Sequence, residues 1–335
     1  MSTLRIPVQP PPRPPLRVGV DVGGTKVAVL VAREDQELAR KVNPTRLETP
    51  AQTLVGITDT IREAVALAGA EMGDVAAIGV GIPGRVDPTL GTVQMAVNLN
   101  WQDMAAGAAF EQALGVPCFL ENDVRMAALG LKYHPAFAQV CDLAYFSVGT
   151  GIAAGIILNG TLHRGRHGMA GEIGHVSVVS DGVRCPCGAT GCLETLAAGP
   201  AIERRMAHAW AQNSNDITSH TPHPYTTAEI FRMAEAGDPT ARAVVLETGK
   251  YLGWAIKMLV FTYDLQLIVL GGGVSQAGTT FLDAILQDIH RQRDESELVR
   301  SLLAPEMIQL LPAGFDAPLW GGIALAESGL KIPIE

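Results

Sequence analysis

The chain has no uninterrupted apolar run of the ~18 residues needed to cross a bilayer, so a membrane-spanning protein is not expected. It also lacks the apolar stretch and small-residue cleavage site of a secretory signal; its first residues, MSTLRIPVQPPPRPPL, are rich in proline instead. Proline cannot donate to a ladder and tends to polyproline II, so residues 1–16 are expected to be a disordered tail. A basic excess is missing too. The formal net charge is −9, the wrong sign for neutralising a phosphate backbone, which excludes nucleic acid as a default partner. Cysteines number only five, and an odd count without a secretory signal argues against a disulfide framework and for a reducing compartment, the cytoplasm. The glycines follow no period, which removes collagen and simple repeats.

What is present suffices for a large core. With 335 residues, 47% hydrophobic and 18% charged, the chain is long enough for about two domains. Residues 17–22 (RVGVDV) and 27–31 are β-branched runs on either side of Gly23, Gly24, Thr25 and Lys26, which reads as a hairpin. A Walker loop or dinucleotide fingerprint needs a helix after its glycines, and here a strand follows, so both readings fail. Residues 143–148 and 153–158 form a second strand pair around Gly149, Thr150 and Gly151. Further strands are expected at 75–80, 118–120 and 267–270, the last leading into Gly271, Gly272 and Gly273. Helices are expected at 53–68, 110–114, 124–131, about 240–263 and 320–330, with Gly321 and Gly322 opening the final one. Residues 212–225 are polar and irregular, and Thr226 with Glu229 makes a capping-box signature for a helix. A strand, glycine turn and strand therefore open each half. Backbone N–H groups in such turns make anion-binding concavities, suited to a nucleotide's phosphates.

Three groups of side chains carry chemistry. Asp21 ends the first strand beside its turn, where a carboxylate holds Mg²⁺ or bonds its own backbone, and the pattern alone leaves these two readings even. Asn122 and Asp123 stand between a strand and a helix, as an ordinary N-cap or as a sugar ligand and a general base. The sharpest signal is Cys185, Cys187 and Cys192 with His175 ten positions upstream of the first thiol: three thiolates and an imidazole would complete a tetrahedral, structural zinc site, the alternative being a cluster of buried thiols or a chance disulfide. Glu172 and Glu194 flank those ligands, so the metal clip would hold two carboxylates suited to vicinal hydroxyls. A retaining glycosidase also pairs carboxylates, though phosphate-type turns count against one. Other histidines, among them His163, His167, His208, His220 and His223, lack ligand spacing, and His290 lies in a charged helical stretch.

Seven motifs in order then make the chain resemble the ROK family of sugar kinases and sugar-responsive repressors. They are DVGGTK, GIPGRVD, ENDVRMAALG, VGTGIAAGIILNG, GEIGHVSV, CPCGATGCLE and VLGGGV, spread over residues 17–330. The resemblance implies an α/β, two-domain actin-like ATPase fold with ribonuclease H-like halves and an interdomain cleft. It implies a smaller domain of residues 17–125 plus a C-terminal helix at 318–335, and a larger zinc-bearing domain at 126–317. By the same likeness Asp21, Gly23, Gly24, Thr25 and Lys26 form one phosphate element of an ATP site with Mg²⁺, Gly149, Thr150 and Gly151 the other, and Gly271, Gly272 and Gly273 lie against the adenosine. Asn122, Asp123, Glu172, His175 and Glu194 would hold the sugar, with Gly84 and Asn100 on sugar-side loops; Asp123 would be the base on the 6-hydroxyl. A homodimer or dimer of dimers is implied as well. Three positions depart from the family pattern: Ala153 stands where glycine is usual, Leu131 where glutamate is common, and Arg125 where a small or amide residue is usual, a change that bears on sugar preference.

The expected activity is ATP-dependent hexose phosphorylation, with glucose as first substrate and N-acetylmannosamine or N-acetylglucosamine as alternatives. A sugar-responsive repressor is disfavoured, because only a proline-rich segment precedes the first strand and no DNA-binding helices fit in it. A sugar sensor without catalysis is disfavoured by the presence of Asp123.

Overall fold

The computed structural model describes residues 14–213 and 225–330; nearly all of the expected tail and of the irregular polar stretch lies outside them. The chain divides into two compact units, Met1–Glu121 with Gly322–Glu335, and Asn122–Gly321. Asn122, Asp123 and Arg125, which the sequence reading put at the end of the first domain, thus belong to the second unit.

In the first unit, β1 (Leu16–Val22), β2 (Lys26–Arg33) and β3 (Gln36–Pro44) form an antiparallel meander. Helix α1 (Pro50–Leu67) follows, then β4 (Val75–Ile82), which pairs parallel to β1. A small sheet of β5 (Arg85–Asp87), β6 (Thr92–Ala96) and β7 (Trp101–Met104) leads to α2 (Ala106–Leu114) and β8 (Cys118–Asn122). The main sheet has the order β3-β2-β1-β4-β8. Leu16, assigned to the tail by its prolines, instead opens β1; it is buried and in register with Val75, because burial of a leucine outweighs the proline before it. The β-branched runs explain the strands. Val18, Val20 and Val22 alternate onto one face and pack with Ile57 and Ile61 of α1 in one apolar core.

The second unit repeats that order. After α3 (Asp123–Gly130), strands β9 (Leu143–Val148), β10 (Ile152–Leu158) and β11 (Thr161–His163) form an antiparallel meander. Helices α4 (Glu194–Ala197), α5 (Gly199–Asn213), α6 (Thr227–Glu235) and α7 (Pro239–Tyr263) precede β12 (Leu267–Gly271), which pairs parallel to β9. Helices α8 (Thr279–Glu295) and α9 (Glu297–Leu302), strand β13 (Ile308–Leu310) and helix α10 (Ala317–Gly329) complete the chain. The sheet order is β11-β10-β9-β12-β13. Both faces of β9 are covered: Ala144, Phe146 and Val148 join one core, Leu143 and Tyr145 another with Leu131 and Phe137, so the strand reads as a continuous apolar run.

Gly321 and Gly322 do not open the last helix, as expected, but lie inside α10, which starts at Ala317. Glycine costs helix stability, so a packing reason is needed. A Cβ on Gly322 would lie 2.5 Å from the Gly19 Cα and 2.8 Å from the Gly79 carbonyl oxygen, so the helix can only lie this close to β1 and β4 without one.

Candidate functional site

The first glycine turn closes as the Gly23 N–H donates to the Lys26 carbonyl at 2.9 Å. Thr45, just past β3, pins it twice: its hydroxyl donates to the Gly23 carbonyl at 2.7 Å and its N–H to the Thr25 carbonyl at 3.0 Å. Asp21 lies at the end of β1, in register with Ala28 and Gly81. In the same unit Gly84 and Asn100 both have left-handed backbone, Asn100 as the C-cap of a short 3-10 turn beside β7.

Within the second unit, α3 begins where β8 ends. Asn122 is its N-cap, its side-chain oxygen accepting from the N–H groups of Val124 and Arg125 at 3.1 Å each. The capping reading of this pair is therefore right for Asn122, and it leaves Asp123 at the first helical position, where the helix dipole favours a carboxylate. Asp123 Oδ1 accepts from Asn122 Nδ2 and from the Val124 N–H, both at 2.9 Å. Burial pushes its carboxyl above the usual range; the bond from Val124 and the charge of Arg125 pull the other way. Arg125, the departure noted in the sequence, is among the largest fully buried side chains, only 2% exposed.

Glu172 precedes a 3-10 turn at Ile173–His175. Its carboxyl is also raised, first by burial, with the charges of Arg125 and His175 opposing and those of Asp123 and Glu194 adding. These mutual influences bring Asp123, Glu172, His175, Glu194 and Arg125 into one electrostatic cluster. The loop carrying Glu172 is laid along β10: the Ala154 N–H donates to the Gly171 carbonyl at 2.8 Å.

His175, Cys185, Cys187 and Cys192 present their ligand atoms within 4.8 Å of one another. Cys187 Sγ and Cys192 Sγ are 3.6 Å apart, and Cys185 Sγ is 3.7 Å from His175 Nδ1. Tetrahedral zinc with Zn–S bonds of about 2.3 Å has ligand edges of roughly 3.7 Å, so the donor set and its spacing fit that ion. Nδ1 faces the thiols, which turns Nε2 of the imidazole away from them. No cysteine is in a disulfide.

The second glycine turn borders a cavity of about 760 Å³, within the size range of small-molecule sites. Gly149, Thr150 and Gly273 line it, as the sequence suggested, whereas Gly271 and Gly272 lie behind it against Tyr145 and Val148. Glu203, Thr227, Arg232, Glu235, Gln276 and Thr280 also line it and were not singled out in the sequence. Thr227 fixes Glu203, its N–H and hydroxyl both donating to Oε1 at 2.8 and 2.9 Å. The only signal for this wall was the capping box at Thr226 and Glu229, which the structure contains and which orients the start of α6.

The ROK family profile matches residues 17–328. The chain is 34% identical over 313 residues to a glucokinase of Halalkalibacterium halodurans, covering 91% of this chain and 93% of that one. It is 29% identical over 279 residues to a xylose repressor of Caldicellulosiruptor bescii, covering 82% of this chain and 70% of the relative. Among solved structures, a ROK family glucokinase from Streptomyces griseus in complex with glucose and AMPPNP superposes with a TM-score of 0.74 at 32% identity, covering 94% of this chain and all of that one. With the repeated sheet order, the fold is the two-domain actin-like ATPase fold, and the chain belongs to the ROK family.

Proposed function

We propose that this ATP-dependent sugar kinase transfers the γ-phosphoryl group of ATP to the 6-hydroxyl of glucose, with Asp123 as the base. The observation that carries the reading is the cluster of Asp123, Glu172, His175 and Glu194 in the unit whose glycine turn borders the 760 Å³ cavity. A sugar hydroxyl is a weak acid, so the base mainly orients it and takes its proton late. Asn122 and the Val124 N–H hold Oδ1 of Asp123; we assign Oδ2 to the sugar hydroxyl. Glu172, Glu194, Asn122 and the Nε2 face of His175 hold the other hydroxyls, with Gly84 and Asn100 as further sugar-side positions. Residues 149–151 hold phosphate oxygens, with Gly273, which lines the cavity, on the adenosine side. We also assign Asp21, Gly23, Gly24, Thr25 and Lys26 to nucleotide phosphate; Asp21 is the residue we assign to Mg²⁺, which when bound would neutralise charge on the transferring group.

Zinc is assigned a structural part, because all four positions of its shell are protein atoms. We place the enzyme in the cytoplasm as a homodimer or dimer of dimers; no described helix is long and apolar enough to cross a membrane. A coupled ATP assay across glucose, mannose, fructose, N-acetylmannosamine and N-acetylglucosamine tests the substrate, with glucose expected to give the highest kcat/KM. A preference for an N-acetylhexosamine would replace glucose. No turnover with any of them would return the chain to a sensor like the repressors among its relatives.

A further inference from the structure

Residues 192–199 do more than carry Glu194. The Ile152 N–H, the first backbone donor after the second glycine turn, donates to Glu194 Oε2 at 3.0 Å. At the other end of the turn, the Gly149 carbonyl accepts from the Gly199 N–H at 2.8 Å. Inside, the turn is closed by the Gly149 N–H on the Gly151 carbonyl at 2.9 Å. The turn is therefore gripped at both ends by one short stretch of chain. Gly151 is shaped by that grip, since a Cβ there would lie 2.6 Å from the same Oε2.

The stretch itself is braced. Its helix α4 has only four residues, too few to be rigid alone. Two arginines of α5 hold its carbonyls: Arg204 Nη2 donates to the Thr195 oxygen at 2.5 Å and Arg205 Nη1 to the Leu196 oxygen at 2.8 Å. Arg205 is anchored in turn on α7, through the Val244 carbonyl at 3.1 Å, Thr248 Oγ1 at 3.1 Å and Glu247 at 2.6 Å. The backbone that carries Glu194 is thus held from behind, and its carboxylate meets the turn at the Ile152 N–H.

We propose that Glu194 is a positioning residue for the second phosphate turn as well as a sugar ligand, so that one carboxylate couples the sugar site to the nucleotide site. This rests on the sugar and phosphate assignments proposed above. The charge makes the tie strong, because a hydrogen bond to an ionised acceptor is about twice as strong as a neutral one. By linkage, a ligand that reorients Glu194 changes the affinity of the turn for phosphate, and the reverse holds equally.

Calorimetric titration with AMPPNP in the absence of sugar, and with glucose in the absence of nucleotide, tests the coupling. Glu194→Ala removes both roles, and nucleotide Kd is expected to rise on the order of tenfold even with no sugar present. Glu194→Gln keeps an oxygen for the Ile152 N–H; it is expected to keep nucleotide Kd within about twofold of wild type while weakening glucose. If Glu194→Ala leaves nucleotide affinity at the wild-type value, or if both variants weaken it equally, the proposal is overturned. Gly151→Ala supplies an independent arm should the alanine variant not fold: its methyl meets Oε2, so glucose binding measured alone is expected to weaken, and unchanged glucose binding overturns the coupling. Wild-type protein that binds neither probe sinks instead the kinase reading on which this stands.

Discussion

The two glycine turns occupy the same place in two sheets of the same strand order, yet they are held by different chemistry. The first is clasped by Thr45, a neutral hydroxyl and an N–H on the strand-side chain of its own sheet. The second is clasped by a carboxylate, Glu194, which also belongs to the electrostatic cluster around Asp123 and Glu172. A repeated backbone thus carries unequal duties. On the proposed assignments the first turn could be tuned without touching the sugar, whereas the second could not, because its clasp is shared with the proposed sugar site.

The largest expected effect follows from placing the chemistry with the second turn. Asp123→Asn keeps the first helical position and the bond from Val124 but removes the base, and turnover is expected to fall by about 10³-fold with glucose binding still measurable. Near-wild-type turnover in a coupled assay would remove the asymmetry at its root. Cys187→Ser comes next. Metal analysis is expected to fall from about one zinc per chain to none, and glucose affinity to drop by about tenfold or more, if the proposed clip holds the segments that carry Glu172 and Glu194. Active protein that contains no zinc in its wild-type form would break this expectation.

Arg125→Met sharpens the comparison through pH. Burial already raises the Asp123 carboxyl, and the Arg125 charge opposes that rise. Without the guanidinium, Asp123 stays protonated to higher pH, so the acid limb of the kcat/KM profile moves upward and activity is lost first at low pH. Arg125→Lys is expected to restore part of the shift, and an unmoved acid limb in the methionine variant would show that the cation does not act on the base. The smallest effect belongs to the first turn. Thr45→Val removes one neutral hydrogen bond, of about 1 kcal/mol, and should raise the KM for ATP several-fold with the KM for glucose unchanged. Equal changes in both would mean that the two turns are not distinguished by their clasps.

How much was legible beforehand can be judged from particular residues. The apolar runs around residues 23–26 and 149–151 announced two hairpins, because local sequence decides a short turn between two apolar strands. The convergence of Cys185, Cys187, Cys192 and His175 was legible, since three closely spaced thiols with one imidazole are a donor set compatible with zinc. The little sheet of β5, β6 and β7 was not, as strands of three to five residues carry almost no periodic signal. Gly321 and Gly322 misled for a physical reason: helix propensity penalises them, and it is the closeness of the Met126 carbonyl to Gly321 and of Gly19 and Gly79 to Gly322 that requires them. Glu203, Arg232 and Glu235 look like solvent-facing helix residues in one dimension. They become a cavity wall only when α5 and α6 are brought beside Gly149 and Gly273.

Arg125 has a consequence for how this chain differs from others of its family. One buried cation sets the charge balance of two carboxylates, Asp123 and Glu172. Losing it leaves burial to raise both acids with one opposing charge fewer, so both are expected to hold their protons to higher pH. The family pattern places a small or amide residue at this position beside the same acids, so chains that follow that pattern are expected to lose activity at a higher pH on the acid side than this one does.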